Sequence, residues 1–309
     1  MLFFVVVILA LGLDALFGEP IWLWSRLPHP VRGMGAAIHW ADKSLNKGKY
    51  KKHKGVVAMG VLAPGFGVFA AGLAWLPDFA VLEIIGAAIL IGQRSLVEHV
   101  AAVAASLARS LPEGRRAVSM IVGRDVAALD ESAVARAAIE SAAENFSDGV
   151  VAPVFWFLLF GLPGIVVYKL VNTADSMIGH RNEKYTEFGW AAARLDDVLN
   201  FVPARIAAGL IALSATSRKA LETVRRDAGQ HRSPNAGWPE AAMAGALDIA
   251  LSGPRVYGGQ PTNDAFVNDL GRKTLVVADI SAAVHLLWKS WGLMLGIITM
   301  TAVFTWWFL

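Results

Sequence analysis

The sequence predicts an all-α, polytopic integral membrane protein with about five or six membrane helices, some broken or re-entrant, plus helical cytoplasmic segments. Three observations lead there. Of 309 residues, 55% are hydrophobic and only 17% charged, more apolar than a soluble domain, and mean hydropathy is +0.49. About six segments reach or approach the length needed to cross ~30 Å of hydrocarbon, allowing for tilt. Strand patterning is weak, limited to a short hairpin near 255–260.

The first segment, about 1–17, lacks the basic n-region and small-residue cleavage site of a secretory signal and carries Asp14, so it is expected to stay as a helix. Residues 18–55 follow, with Lys43, Lys47, Lys49, Lys51, Lys52 and Lys54 close together. The positive-inside rule makes that loop cytoplasmic, and its juxtamembrane position favours topology and lipid contact over nucleic-acid binding. Segments at about 56–76 and 78–92 come next. The stretch 93–149 is Ala-rich with helical spacing, and Leu111-Pro112-Glu113-Gly114 predicts a turn between two helices.

Segments at about 151–171 and 198–216 carry breakers: Gly161-Leu162-Pro163-Gly164 in one, Pro203 and Arg205 in the other. Broken or half-depth helices are expected there, with polar residues meeting in a cavity open to the cytoplasm. Residues 217–283 are again cytoplasmic, because Arg218, Lys219, Arg225, Arg226, His231 and Arg232 cluster after the membrane segment. A last span is expected at 291–309, and the whole is read as a single membrane domain. With no cysteine, disulfides, thiolate metal sites and Cys nucleophiles are excluded. No phosphate loop or Gly-x-Gly-x-x-Gly turn is present, so any nucleotide is held another way.

Three constellations carry chemistry. Glu140, Glu144 and Asp148 are spaced by four, which on a regular helix places three repelling carboxylates on one face beside Asn145. They suit Mg²⁺ held with phosphate oxygens; the plainer reading is a solvated acidic face neutralised by Arg136. Asn172 to Arg181 holds Asp175, a candidate metal ligand, and His180, Arg181 and the nearby Lys184 as candidates for phosphate or proton transfer. Here the plainer reading is that Thr173 or Asp175 caps a helix. Arg194 to Arg205 holds Asp196, Asp197 and Asn200, with Asp196 and Asn200 one turn apart; the choice is between divalent-metal ligands and ordinary acids at a helix start. Arg32, in His29-Pro30-Val31-Arg32, is a weaker candidate for a carboxylate or phosphate. The loop from Gly253 to Gly259, with Arg255 and Tyr257, could form an anion nest or an ordinary turn.

Leu13-Asp14 through Glu19-Pro20, His29 to Arg32, Glu140 to Gly149, Asn172 to His180 and Arg194 to Arg205 together, in this order over nearly the whole chain, resemble the CobD/CbiB family. The resemblance implies a membrane-bound adenosylcobinamide-phosphate synthase, a carbon–nitrogen ligase of cobalamin biosynthesis. It would join adenosylcobyric acid, a corrinoid substrate, to aminopropanol phosphate, or to ethanolamine or ethanolamine phosphate, at the expense of Mg-ATP. It further implies residence in the bacterial cytoplasmic (inner) membrane with the active site facing the cytoplasm, lipid as a partner, no nucleic acid, and room for a homo-oligomer. In that frame Glu140, Glu144, Asp148, Asp175, Asp196 and Asp197 handle metal and amine. Arg32, Arg181, Lys184, Arg194, Asn200, Arg205 and Tyr257 are the candidates for substrate phosphate and nucleotide, while Asn145 and His180 join the catalytic group. The competing class is a secondary transporter using intramembrane carboxylates.

Overall fold

The computed structural model describes residues 2–78, 80–123, 125–257, 260–262 and 264–308, with Leu2, Ile21, 255–257 and 260–262 described by backbone alone. The helices run α1 (Leu2–Phe17), α2 (Ile21–Trp24), α3 (Pro30–Leu45), α4 (Lys51–Ala74), α5 (Val81–Leu90), α6 (Gln93–Arg109), α7 (Leu111–Val118), α8 (Glu131–Phe146), α9 (Ala152–Ile178), α10 (Trp190–Leu199), α11 (Phe201–Ser214), α12 (Arg218–Asp227), α13 (Gly237–Leu247) and α14 (Val277–Phe308). Four short strands lie between α13 and α14: β1 (Leu251–Ser252), β2 (Arg255–Tyr257), β3 (Gln260–Thr262) and β4 (Phe266–Val267). Strands β1 and β4 pair antiparallel, as do β2 and β3, the latter at the predicted hairpin.

Among the described residues three helical runs are long and apolar enough to cross a membrane: Lys51–Ala74, Glu131–Ile178 and Val277–Phe308. Helices α10 and α11, bent by 44°, make a fourth if counted as one span. Of the expected five or six, three or four are long and apolar enough on this measure. The segment at 78–92 shrinks to the 10 residues of α5, about 15 Å of helix. Its start is set by Asp78, whose carboxylate accepts the backbone N–H groups of Ala80 and Leu82. α1 has 16 residues and is short for a full crossing. The last helix begins at Val277, not 291, and spans 32 residues.

Other expectations shift for identifiable reasons. Pro112, Glu113 and Gly114 belong to the first turns of α7, where Pro costs no hydrogen bond, and the chain turns at Ser110, whose hydroxyl accepts from Glu113 N. Thr173 and Asp175 cap nothing, since both lie inside α9. The predicted break does occur: Gly161 has φ 62°, ψ −151° inside α9, backbone that only glycine adopts readily. After Phe146 the α ladder gives way to a π turn, Ser147–Val151. Asp148, the third of the carboxylates spaced by four, lies in that turn.

Internal contacts divide the chain into two compact units. The first comprises Met1–Gly92, Ala152–Phe201 and Ala302–Leu309. There α9 is the hub, packed by α3, α4, α5 and α10, with α1 on α5. Leu11, Ile38, Phe157, Ile165, Tyr168, Leu170 and Phe188 are its fully buried larger side chains. The approach to α4 is so close that a Cβ on Gly55 would lie 2.0 Å from the Phe188 carbonyl oxygen. Polar contacts hold the same unit: Asp42 of α3 accepts from Asn46 Nδ2 at 2.8 Å, Lys184 Nζ at 2.9 Å and Tyr185 Oη at 3.3 Å.

The second unit comprises Gln93–Val151 and Val202–Thr301. It packs α6 on α7 and α8, α8 on α13, and α13 on α12. Val100, Val103, Val134, Ile139, Met243 and Ile249 are wholly buried. A Cβ on Gly245 would stand 2.7 Å from the Ala220 Cα, so the α12–α13 contact requires glycine at that point.

Two outcomes follow. Gly55→Ala should destabilise the detergent-solubilised protein by about 1–3 kcal/mol through overpacking, whereas Gly60→Ala, with nothing within 4 Å, should leave the thermal midpoint nearly unchanged; equal midpoints for both variants would contradict the packing. Burial pushes the Asp42 carboxyl up, but the hydrogen bonds from Asn46, Lys184 and Tyr185 outweigh it and hold the group below the usual carboxylate range. Its stabilisation is complete above the unfolded value of about 3.9 and is lost as pH falls through the lower folded value. The stability difference between wild type and Asp42→Asn, read from melting curves, should accordingly be constant near neutrality and shrink below about pH 4.

Candidate functional sites

In the first unit, the two later motifs converge on one polar cluster. Helix α10 carries Asp196 and Asp197, and α9 carries Tyr168, Asn172 and Asp175. Tyr168 Oη donates to Asn200 Oδ1 at 2.9 Å, which turns the Asn200 amide nitrogen toward Asp196 Oδ2 at 3.0 Å. Asn172 Nδ2 reaches the other oxygen of Asp196 at 3.3 Å. Both oxygens of this carboxylate are thus oriented by amide donors. Asp175 lies close enough to interact electrostatically with Asp196 and Asp197, and Asp197 also contacts Arg194 at 3.0 Å. The chain after α9 must be bare to fit, because a Cβ on Gly179 would sit 1.9 Å from Asp175 Oδ1. Hard oxygen donors supported by amide groups are the set that Mg²⁺ takes.

In the second unit, Glu140 is buried and its Oε1 accepts the Ser252 N–H at 2.7 Å, tying α8 to β1. One turn on, Glu144 meets His231 and Glu240, with one potential ligand atom from each within 4.8 Å of the others. Glu240 is fully buried in α13, and its Oε1 stands 3.5 Å from His231 Nε2. The turn before α13 fixes that imidazole. Its Nδ1 accepts the Ser233 N–H at 3.0 Å, and the Ser233 hydroxyl accepts from the backbone of Asn235 and Ala236. Beside this cluster lies a cavity of about 170 Å³, lined by Glu144, Gln230, His231, Arg232, Ser252 and Asp264 among others. Arg232 contacts Asp264 at 2.7 Å.

The remaining candidates are placed as follows. Lys184 is mostly exposed and pairs with Asp42. Arg205 spans from α11 to the turn before α13, donating to Asn235 Oδ1 at 3.1 Å and stacking 4.3 Å over the Trp238 ring. Asn145 is exposed and donates to the Ser141 carbonyl at 2.8 Å. Asp148 is half-buried in the π turn, while Arg32, His180 and Arg181 are exposed. The side chain of Tyr257, with Gly258 and Gly259 of the proposed nest, lies outside the described residues. Sequence reasoning counts His231 only as part of a basic cluster and passes over Glu240, Gln230, Asp264 and Asp42. Glu240 has a legible sign: it is the one acid in the Ala-rich run Gly237–Leu247, and an acid in such a helix needs a reason.

Comparison with known proteins agrees with the motifs. Residues 7–287 match the family described as CobD/Cbib protein. The chain is 50% identical over 306 residues to the cobalamin biosynthesis protein CobD of Rhizobium meliloti (strain 1021), covering 94% of each chain. It is 48% identical to the protein of that name from Brucella suis biovar 1 (strain 1330), over 95% of each, and 49% identical to one from Rhodobacter capsulatus, over 86% of this chain and 87% of the other. No solved structure matches it. A family match across more than nine-tenths of the sequence, with relatives of about half-identical sequence aligned nearly end to end, shows that the chain belongs to the CobD/CbiB family.

Proposed function

We propose that this protein is a membrane-bound enzyme of cobalamin biosynthesis that forms an amide between adenosylcobyric acid and aminopropanol phosphate or ethanolamine phosphate, consuming ATP with Mg²⁺. The observation that carries the reading is the Asp196 cluster, in which a carboxylate at an apolar helix is clamped by Asn172 and Asn200 next to Asp175 and Asp197. The family relationship and the relatives' role in cobalamin biosynthesis support the pathway. The apolar helices support a membrane setting. The lysines at 43–54 support a cytoplasmic inner-membrane face for the loop that bears them.

Amide formation at neutral pH needs an activated acyl group. The corrinoid carboxylate attacks the γ-phosphorus of ATP, ADP leaves, and an acyl phosphate forms; attack of the amine nitrogen then breaks the acyl C–O bond and releases inorganic phosphate. A Mg²⁺ held by Asp196, with Asp175 and Asp197 near enough to act on it electrostatically, would neutralise charge on the ATP phosphates. Asn172 and Asn200 keep the Asp196 oxygens oriented so that no reorganisation is needed during transfer. Arg181 and Arg194 offer cations in the same unit for phosphate oxygens. A base takes one N–H proton of the ammonium, becoming a neutral acid and leaving the nitrogen lone pair; from the sequence spacing the candidate for it is Glu144. Glu140, fixed to Ser252, holds α8 in place for that role. His180, exposed beyond α9, is the weaker base.

The decisive experiment supplies purified protein in detergent with corrinoid acid, aminopropanol phosphate and Mg-ATP. Amide and ADP should appear in equal amounts. Asp196→Asn and Asp175→Asn should each lower kcat by about 10²-fold or more without loss of fold. Unchanged turnover removes the cluster from the reaction, and ATP-independent uptake into liposomes with no amide would instead identify a transporter.

A further inference from the structure

A concentration of charge opposite in sign to the acidic clusters stands at the head of α4, in the first unit. Lys43, Lys47, Lys49, Lys51, Lys52 and Lys54 follow one another there, and no Asp or Glu occurs from 43 to 77. The segment is held in place. Asn46 Nδ2 donates to Asp42 Oδ1 at 2.8 Å and to the Lys184 carbonyl at 3.2 Å, and Lys54 Nζ donates to the Lys47 carbonyl at 2.6 Å. Lys52 Nζ lies 4.0 Å over the ring of Trp190, the first residue of α10. Lys43, Lys47, Lys49 and Lys51 pair with no carboxylate among the described residues. The lysines of the first turn of α4 also oppose its macrodipole, and neither an acid in that turn nor a side-chain cap from Tyr50 offsets them. The face is left with positive charge that the chain itself does not answer.

Apolar surface continues directly from this charge. Lys52 and Val56 are four residues apart on α4 and share a face, as do His53, Val57 and Val61, and all five are exposed. Exposed Trp40 and Lys43 stand three apart on α3. Trp40, Tyr50 and Trp190 are exposed rings of the kind that collect where a membrane meets water. Since α4 is long and apolar enough to cross a bilayer, its lysines stand at headgroup depth and its valines among the acyl chains; Lys52 to Val61 covers about 14 Å of helix. We propose that this face binds an anionic phospholipid, its phosphate accepting from the lysines between 43 and 52 and its acyl chains lying along Val56, Val57 and Val61. A free anion would use the lysines and leave the apolar stripe unused, whereas a lipid uses both. A zwitterionic headgroup brings an ammonium that the lysines repel, so the selectivity is for net negative charge.

The test is displacement of a fluorescent phosphatidylglycerol from the full chain in neutral detergent by unlabelled phosphatidylglycerol, phosphatidylcholine of the same acyl chains, and glycerol phosphate. Phosphatidylglycerol should compete more strongly than phosphatidylcholine, and its advantage should shrink as salt is raised. Glycerol phosphate, which lacks the chains, should compete ~100-fold more weakly or worse. Lys43→Gln and Lys49→Gln, at exposed positions, should each weaken phosphatidylglycerol by ~5-fold and leave phosphatidylcholine unchanged; Lys43→Arg and Lys49→Arg, which keep the charge, should bind as wild type. Equal affinity for the two lipids, or wild-type affinity for phosphatidylglycerol in a variant combining Lys43→Gln, Lys49→Gln and Lys51→Gln, overturns the proposal. Glycerol phosphate competing as well as the intact lipid overturns it in favour of a soluble anion. None of these measurements involves turnover, so the lipid site stands or falls separately from the amide-forming reading.

Discussion

A carboxylate on an apolar helix has to be given donors by the protein, because the surroundings give it none. That constraint organises both units. In the first, Asp196 is served by Asn172 one helix away and by Asn200 one turn along, and Asn200 is itself set by Tyr168, fully buried in α9. In the second, Glu140 takes the Ser252 N–H and Glu240 sits against His231. The cores around these groups are built of small and aliphatic residues, with close helix approaches at Gly55 and Gly245.

Much of this is readable in the residues, and what is not has physical causes. The one-turn spacing of Asp196 and Asn200 predicts their contact, found at 3.0 Å. The Gly-Leu-Pro-Gly run predicts the break at Gly161, and the breaker-dense loop predicts the β2–β3 hairpin. The helix expected through Glu140, Glu144 and Asp148 widens to a π turn at Ser147, and no residue spacing announces a π turn. Hydropathy along 78–92 suggests a span, yet the Asp78 cap and the chain turn after Leu90 confine the helix to 10 residues.

The pairings missed entirely are those of long sequence separation. Lys184 looks like a phosphate ligand from its neighbours in sequence, but its carboxylate partner Asp42 lies 142 residues away. The His231–Glu240 contact depends on a turn shaped by Ser233 and on the Arg205–Asn235 bond, neither of which any helical period encodes. Local pattern reveals which residues are chemically costly to keep; only the folded chain reveals which of them share the cost.

The break at Gly161 has an electrical corollary. It divides α9 into two rods, Ala152–Phe160 and Leu162–Ile178, the first about 14 Å long at 1.5 Å per residue. Each rod carries its own macrodipole, so a half-negative carbonyl end and a half-positive amide end meet within the apolar layer. Pro163, at the second position of the later rod, lacks an N–H and removes one of the orphan donors that such a junction would otherwise leave in lipid. What hydropathy reads as a single greasy segment is, electrostatically, a pair of opposed partial charges buried midway along it.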